Sequence, residues 1–75
     1  MNANIRSAAA RLLDRHHRGQ PWRTATTNDW TLSGSQANRD AIETAEWEGC
    51  TLMDLVNAAQ ELIAEDQADY DATPE

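Results

Sequence analysis

Ile5, Ala8, Ala9, Leu12 and Leu13, with His16 continuing the line, return every three or four positions along the chain. That spacing puts them on one face of an α-helix, and it predicts a first helix over residues 3–18. Asn2 or Asn4 stands where a cap is wanted, and Gly19 followed by Pro21 stops the helix. Arg11, Arg15 and Arg18 fall one turn apart beside the stripe, where their aliphatic stems can cover the core edge. The helical period then fails across "GQPWRTATTNDWTL", residues 19–32. Its threonines favour extended backbone, but Asn28-Asp29 interrupts the alternation of a strand. A loop with one short extended piece is expected near 24–32, with Trp22 and Trp30 packing back on the core.

The period resumes at Ser33, which with Gln36 has the spacing of a capping box, and a second helix is predicted over 34–48. Ala37, Ala41 and Ala45 line one of its faces, so another helix can approach closely. Ile42 and Trp47 flank this narrow seam on opposite sides. A lone three-helix core does not easily cover both, and a homodimer is expected. Gly49 reads as a left-handed helix end. Thr51, with Asp54 in the capping-box position, starts a third helix predicted over 51–66. Leu52, Leu55, Val56, Ala59, Leu62 and Ile63 give it the clearest stripe in the chain. The remainder lacks an apolar pattern and reads as a flexible acidic tail over 67–75. The expected architecture is all-α, one small three-helix domain over 1–66.

Composition narrows the function. The chain has 75 residues, with three Trp, one Tyr and no Phe. A core this small is marginal, which favours oligomerisation or docking on a partner. The single cysteine, Cys50, excludes an internal disulfide framework and fits a reducing, cytoplasmic setting. No run approaches the roughly 18 apolar residues of a membrane span, and the N-terminus lacks the apolar stretch of a signal peptide. All six basic residues are Arg, a bias that fits a GC-rich coding origin such as a bacterium or its phage. The glycines stand alone at 19, 34 and 49, so no phosphate loop exists. One Cys and an adjacent His16-His17 pair do not make a zinc site. No metal, cofactor or catalytic activity is expected.

Charge is unevenly spread within the net −7. Residues 1–23 hold five Arg against one Asp, +4, and residues 24–75 hold Arg39 against twelve carboxylates, −11. Such an asymmetry points to two different surfaces. Asp54, Glu61 and Glu65 recur at i, i+7 and i+11, a line of negative charge about 16 Å long on one helix face. Asp40, Glu43 and Glu46 add to it from the second helix. In a helix ending at 66, Glu61 and Glu65 also sit near the negative end of the dipole, at about 0.3–1 kcal/mol each. A partner protein with a basic surface would explain them.

The stretch Ala45, Gly49, Thr51, Asp54, Leu55-Val56 and Ala59 resembles the helix–helix half of ribbon-helix-helix repressors and antitoxins, over residues 33–63. The resemblance implies a dimer whose N-terminal strand enters the DNA major groove. Thr24, Thr26 and Asn28 would then be the outward residues, and Arg6, Arg11, Arg15, Arg18 and Arg23 would supply the phosphate attraction. By composition the chain is instead similar to small acidic phage proteins that block nucleic-acid-binding machines, anti-CRISPR proteins among them. The first expectation is therefore a non-enzymatic, phage- or mobile-element-encoded inhibitor or regulator. It would bind through Asp40, Glu43, Glu46, Asp54, Glu61 and Glu65. The alternatives are the DNA-binding reading and a structural subunit of a larger assembly.

Overall fold

Alanine at the contact positions lets the helices of this chain lie close together, and the core follows from that. The computed structural model describes residues 3–72, and all regular structure within them is helical. Helix α1 spans Ala3–His16, two residues shorter at its end than predicted. Gln20 N–H takes the His17 carbonyl at 3.3 Å, which starts a turn that Gly19 completes at φ 69°. Asn4 lies inside the helix, and Asn2 lies outside the described residues.

The segment expected to hold an extended piece forms two 3-10 turns, Trp22–Thr24 and Asn28–Thr31; Ala25 between them is extended, and no strand forms among the described residues. Local oxygens capture the chain there. Thr24 Oγ1 donates to the Pro21 carbonyl at 2.7 Å, and Thr31 Oγ1 to the Asn28 carbonyl at 3.1 Å. Thr26 Oγ1 accepts from Asn28 N–H at 3.1 Å. Hydroxyls that bond their own turn compete with strand pairing, and here they win. Trp30, 2% exposed, drops from the second turn into the core. Asn38 Nδ2 donates to the Trp30 carbonyl at 2.6 Å, and Gln60 Nε2 to Thr27 Oγ1 at 3.2 Å. The buried Asn38 and Thr27 side chains are thereby satisfied. Trp22 is only half-buried, and its indole N–H donates to Asp14 at 2.9 Å.

Helix α2 spans Gln36–Glu48 and is capped by Ser35 rather than Ser33. Gly34, at φ 88°, turns the chain between the two serines. Ser35 Oγ accepts from Asn38 N–H at 3.0 Å and donates to the Asp29 carbonyl. Gln36, free of a capping role, donates to Asp40 at 3.2 Å. At the other end Gly49 is left-handed, φ 72°. Cys50 N–H reaches the Ala45 carbonyl at 2.9 Å and Gly49 N–H the Glu46 carbonyl at 3.3 Å. Those two bonds are the Schellman pair.

Helix α3 spans Leu52–Ala72. Thr51 and Asp54 cap it reciprocally, each side-chain oxygen accepting the other's backbone N–H at 3.1 Å. Thr51→Ala is expected to lower the unfolding free energy by about 1 kcal/mol. Thr51→Ser should recover most of that loss, both read as shifts of a urea midpoint. The helix runs six residues beyond its predicted end at 66, into the segment read as tail, and 73–75 lie outside the described residues. Tertiary contacts hold the extra turns: Asp66 accepts Arg23 N–H at 2.9 Å, and the Arg23 guanidinium lies 4.0 Å over the Tyr70 ring.

The core is Ala8, Ala9, Leu12 and Leu13 from α1, Trp30, the Ala37–Ala41–Ala45 seam of α2, and Leu55, Val56, Ala58 and Ala59 of α3. Leu52, Leu62 and Ile63, expected in the α3 stripe, pack against its edge half-buried. The molecule is only 16 Å thick along its shortest axis. A helix with its side chains is about 10–12 Å across, so each keeps much of its surface in water.

Candidate protein-binding face

The charge asymmetry is folded against itself. Arg6, on α1, meets two carboxylates one turn apart on α3: Glu65 at 2.8 Å and Glu61 at 3.5 Å. Arg11 reaches Glu48 at 3.4 Å, and Arg15 reaches Asp40 at 3.6 Å. Arg23 reaches Asp66 at 3.8 Å. The basic first third thus supplies counter-charges for α2 and α3. Among the described residues Arg18 and Arg39 are the arginines outside such pairs.

This pairing divides the six carboxylates expected to face a partner. Asp54 is committed to the α3 cap. Glu61 and Glu65 are gripped by Arg6. They also lie well inside a helix that continues to Ala72, beyond the last turn where the dipole acts, so no dipole cost falls on them. Asp40 is half-buried, with His16 Nε2 at 2.9 Å. Desolvation opposes its charge, but hydrogen bonds from His16 and Gln36 and the nearby Arg15 more than offset this. Together they hold the Asp40 carboxyl below the usual carboxylate range. Glu43 and Glu46 remain, exposed on α2 with no ion-pair partner among the described residues.

The residues expected to contact DNA are dispersed. Arg11, Arg15 and Arg23 are held by carboxylates, as above. Thr24, Thr26 and Asn28 are bound into their own turns, and Thr24 Oγ1 also lies 2.7 Å from His17 Nε2.

Beside Glu43 and Glu46 stands Trp47, 87% exposed. Ile42, 41% exposed, flanks the seam on its other side. Between α1 and α2 runs an open groove of about 440 Å³, floored by Ala8 and Leu12. Arg11 and Arg15 form one lip, and Asp40, Glu43, Glu46 and Trp47 form the other. A tryptophan so open contributes little to the monomer, and among surface residues it is one of the strongest binding anchors. The periodicity had already marked Trp47 as stranded off the seam. What the sequence did not reveal is which acids lack a counter-charge, because that depends on arginines up to 59 residues away.

Cys50 is half-buried at the α2–α3 corner. Desolvation first, then the charges of Asp54 and Glu48, push its thiol above the ordinary value, away from the reactive thiolate. Among the described residues no three His, Cys, Asp or Glu side chains are grouped to hold a metal ion, and no helix is long and apolar enough to cross a membrane. No family model matches the chain, and no significant match exists among curated proteins or solved structures.

Proposed function

We propose that this chain is a non-enzymatic regulator or inhibitor, phage- or mobile-element-encoded, that docks on a basic protein surface through the outer face of α2. The observation that carries this is Trp47, 87% exposed and flanked by Glu43 and Glu46, which make no ion pair among the described residues. An apolar anchor supplies affinity by desolvation, and the surrounding charges supply steering and partner choice. A basic surface that normally holds nucleic acid is the target that best fits a net charge of −7.

The test is affinity capture from nuclease-treated lysate, followed by titration of the purified partner. Glu43→Lys/Glu46→Lys is expected to weaken binding about tenfold or more, a loss of about 1.4 kcal/mol or greater. Its remaining affinity should depend less on salt. Arg18→Ala should bind as the unaltered chain does. If the arginine change abolishes binding and the acidic reversal does not, this reading fails.

The second reading, a ribbon-helix-helix repressor or antitoxin, draws on the α2–Gly49–Thr51–α3 corner, whose residues carry that resemblance and whose Schellman and capping-box bonds join the two helices. It requires residues 24–32 to exchange their 3-10 turns for a strand in a dimer. An electrophoretic shift of DNA by the purified chain, lost on Thr24→Ala/Thr26→Ala, would favour it.

A further inference from the structure

We infer that Glu43 and Trp47 form a clamp for an arginine side chain presented by the partner, an inference that rests on the protein-binding reading above. The chain contains a filled example of such a clamp. Asp66 and Tyr70 stand four residues apart on α3 and close on Arg23: the guanidinium lies 4.0 Å over the Tyr70 ring and 3.8 Å from the Asp66 carboxylate. Glu43 and Trp47 repeat that acid–aromatic spacing on α2, also four residues apart. Residues at this spacing are neighbours on one helix face, with Cβ atoms about 5–6 Å apart. Both line the same groove lip, both are exposed, and no cation occupies the pair among the described residues.

The chemistry selects arginine over lysine. A planar guanidinium can lie flat on an aromatic face while its edge donates two hydrogen bonds to a carboxylate. An ammonium is a strongly hydrated point charge and cannot satisfy both at once without greater desolvation. Indole is the best aromatic partner for a cation, and Glu43 has one more methylene than Asp66 with which to reach the guanidinium. Glu46 lies beside the pair and adds long-range attraction.

The test uses the full chain and short peptides of arginine, lysine or citrulline, equal in length, at low salt. Binding is followed by the Trp47 indole N–H signal in NMR spectra and by calorimetry. The arginine peptide is expected to saturate, to shift the Trp47 signal, and to bind about two- to fivefold more tightly than the lysine peptide. The uncharged citrulline peptide should not bind. Trp47→Ala and Glu43→Gln should each remove the preference for arginine, with helical circular dichroism unchanged because both side chains are exposed. Equal binding of arginine and lysine peptides, weakened alike by Trp47→Ala, overturns the clamp and leaves the docking reading standing. Failure of every cationic peptide to bind overturns both. Self-association that Arg39→Ala abolishes would place a second copy's Arg39 in the clamp and overturn the assignment to a partner.

Discussion

Trp30→Ala is expected to lower the unfolding free energy by about 3–5 kcal/mol, the range for truncating a buried aromatic side chain. Folded domains have only about 5–15 kcal/mol in total, and one this small sits toward the lower end. The variant should therefore lose most of its cooperative urea transition and its near-ultraviolet circular dichroism. The loss has two parts. The ring, 2% exposed, is the largest apolar group in a core otherwise made mostly of alanines. The turn that carries it is held to α2 through Asn38 and to α3 through Gln60 bonding Thr27, so losing the ring loosens both attachments. Trp47→Ala is the matched control: it deletes the same atoms at an 87% exposed site and should stay within about 0.5 kcal/mol. A Trp30 variant as stable as that control would show that the ring does not anchor the core.

Leu55→Ala is expected to cost about 2–5 kcal/mol, toward the upper end. Leu13 and Leu55 are the largest side chains that are completely buried. The cost of a cavity depends on whether its walls can move in. Seven of the twelve residues of the core that holds Leu55 are alanines: Ala8, Ala9, Ala37, Ala41, Ala45, Ala58 and Ala59. These side chains have no rotamers with which to fill space, and closing the void would require moving whole helices. Leu55→Met, which conserves volume, should cost less than about 1.5 kcal/mol. Chemical denaturation of both variants decides the matter, and equal midpoints would argue against a rigid, alanine-rich core.

What could be read from the sequence was what local bonding determines. The Leu55–Val56–Ala59 stripe, the left-handed Gly49 and the Thr51–Asp54 box depend on neighbours within one or two turns. Their patterns therefore transferred intact to the structure. Ser33 and Ser35 show where local reading becomes ambiguous: two serines two residues apart both suit a cap. The hydroxyl that also reaches the Asp29 carbonyl is the one used. The end of α3 was misjudged for a different reason. Residues 67–72 look polar and patternless alone, and they stay helical where Arg23 folds over Asp66 and Tyr70 from far along the chain. The candidate face was half legible. Trp47 was visible as an apolar residue without a home. The acids around it could be sorted only once Arg6, Arg11 and Arg15 had claimed Glu65, Glu48 and Asp40.

The clasp of Arg6 on Glu61 and Glu65 also bears on how the chain is made. Its partners are separated by 55 and 59 residues, and α1 packs more extensively on α3 than on α2. During synthesis, α1 leaves the ribosome long before the surface it covers exists. The part of its apolar stripe that α3 covers has no partner until α3 has emerged. Closing so long a loop adds only slowly growing entropy, about 0.6 kcal/mol per doubling of length, so equilibrium stability hardly suffers. The delay falls on the nascent chain instead, which completes its fold after translation has passed α3 and is open to proteases and chaperones until then.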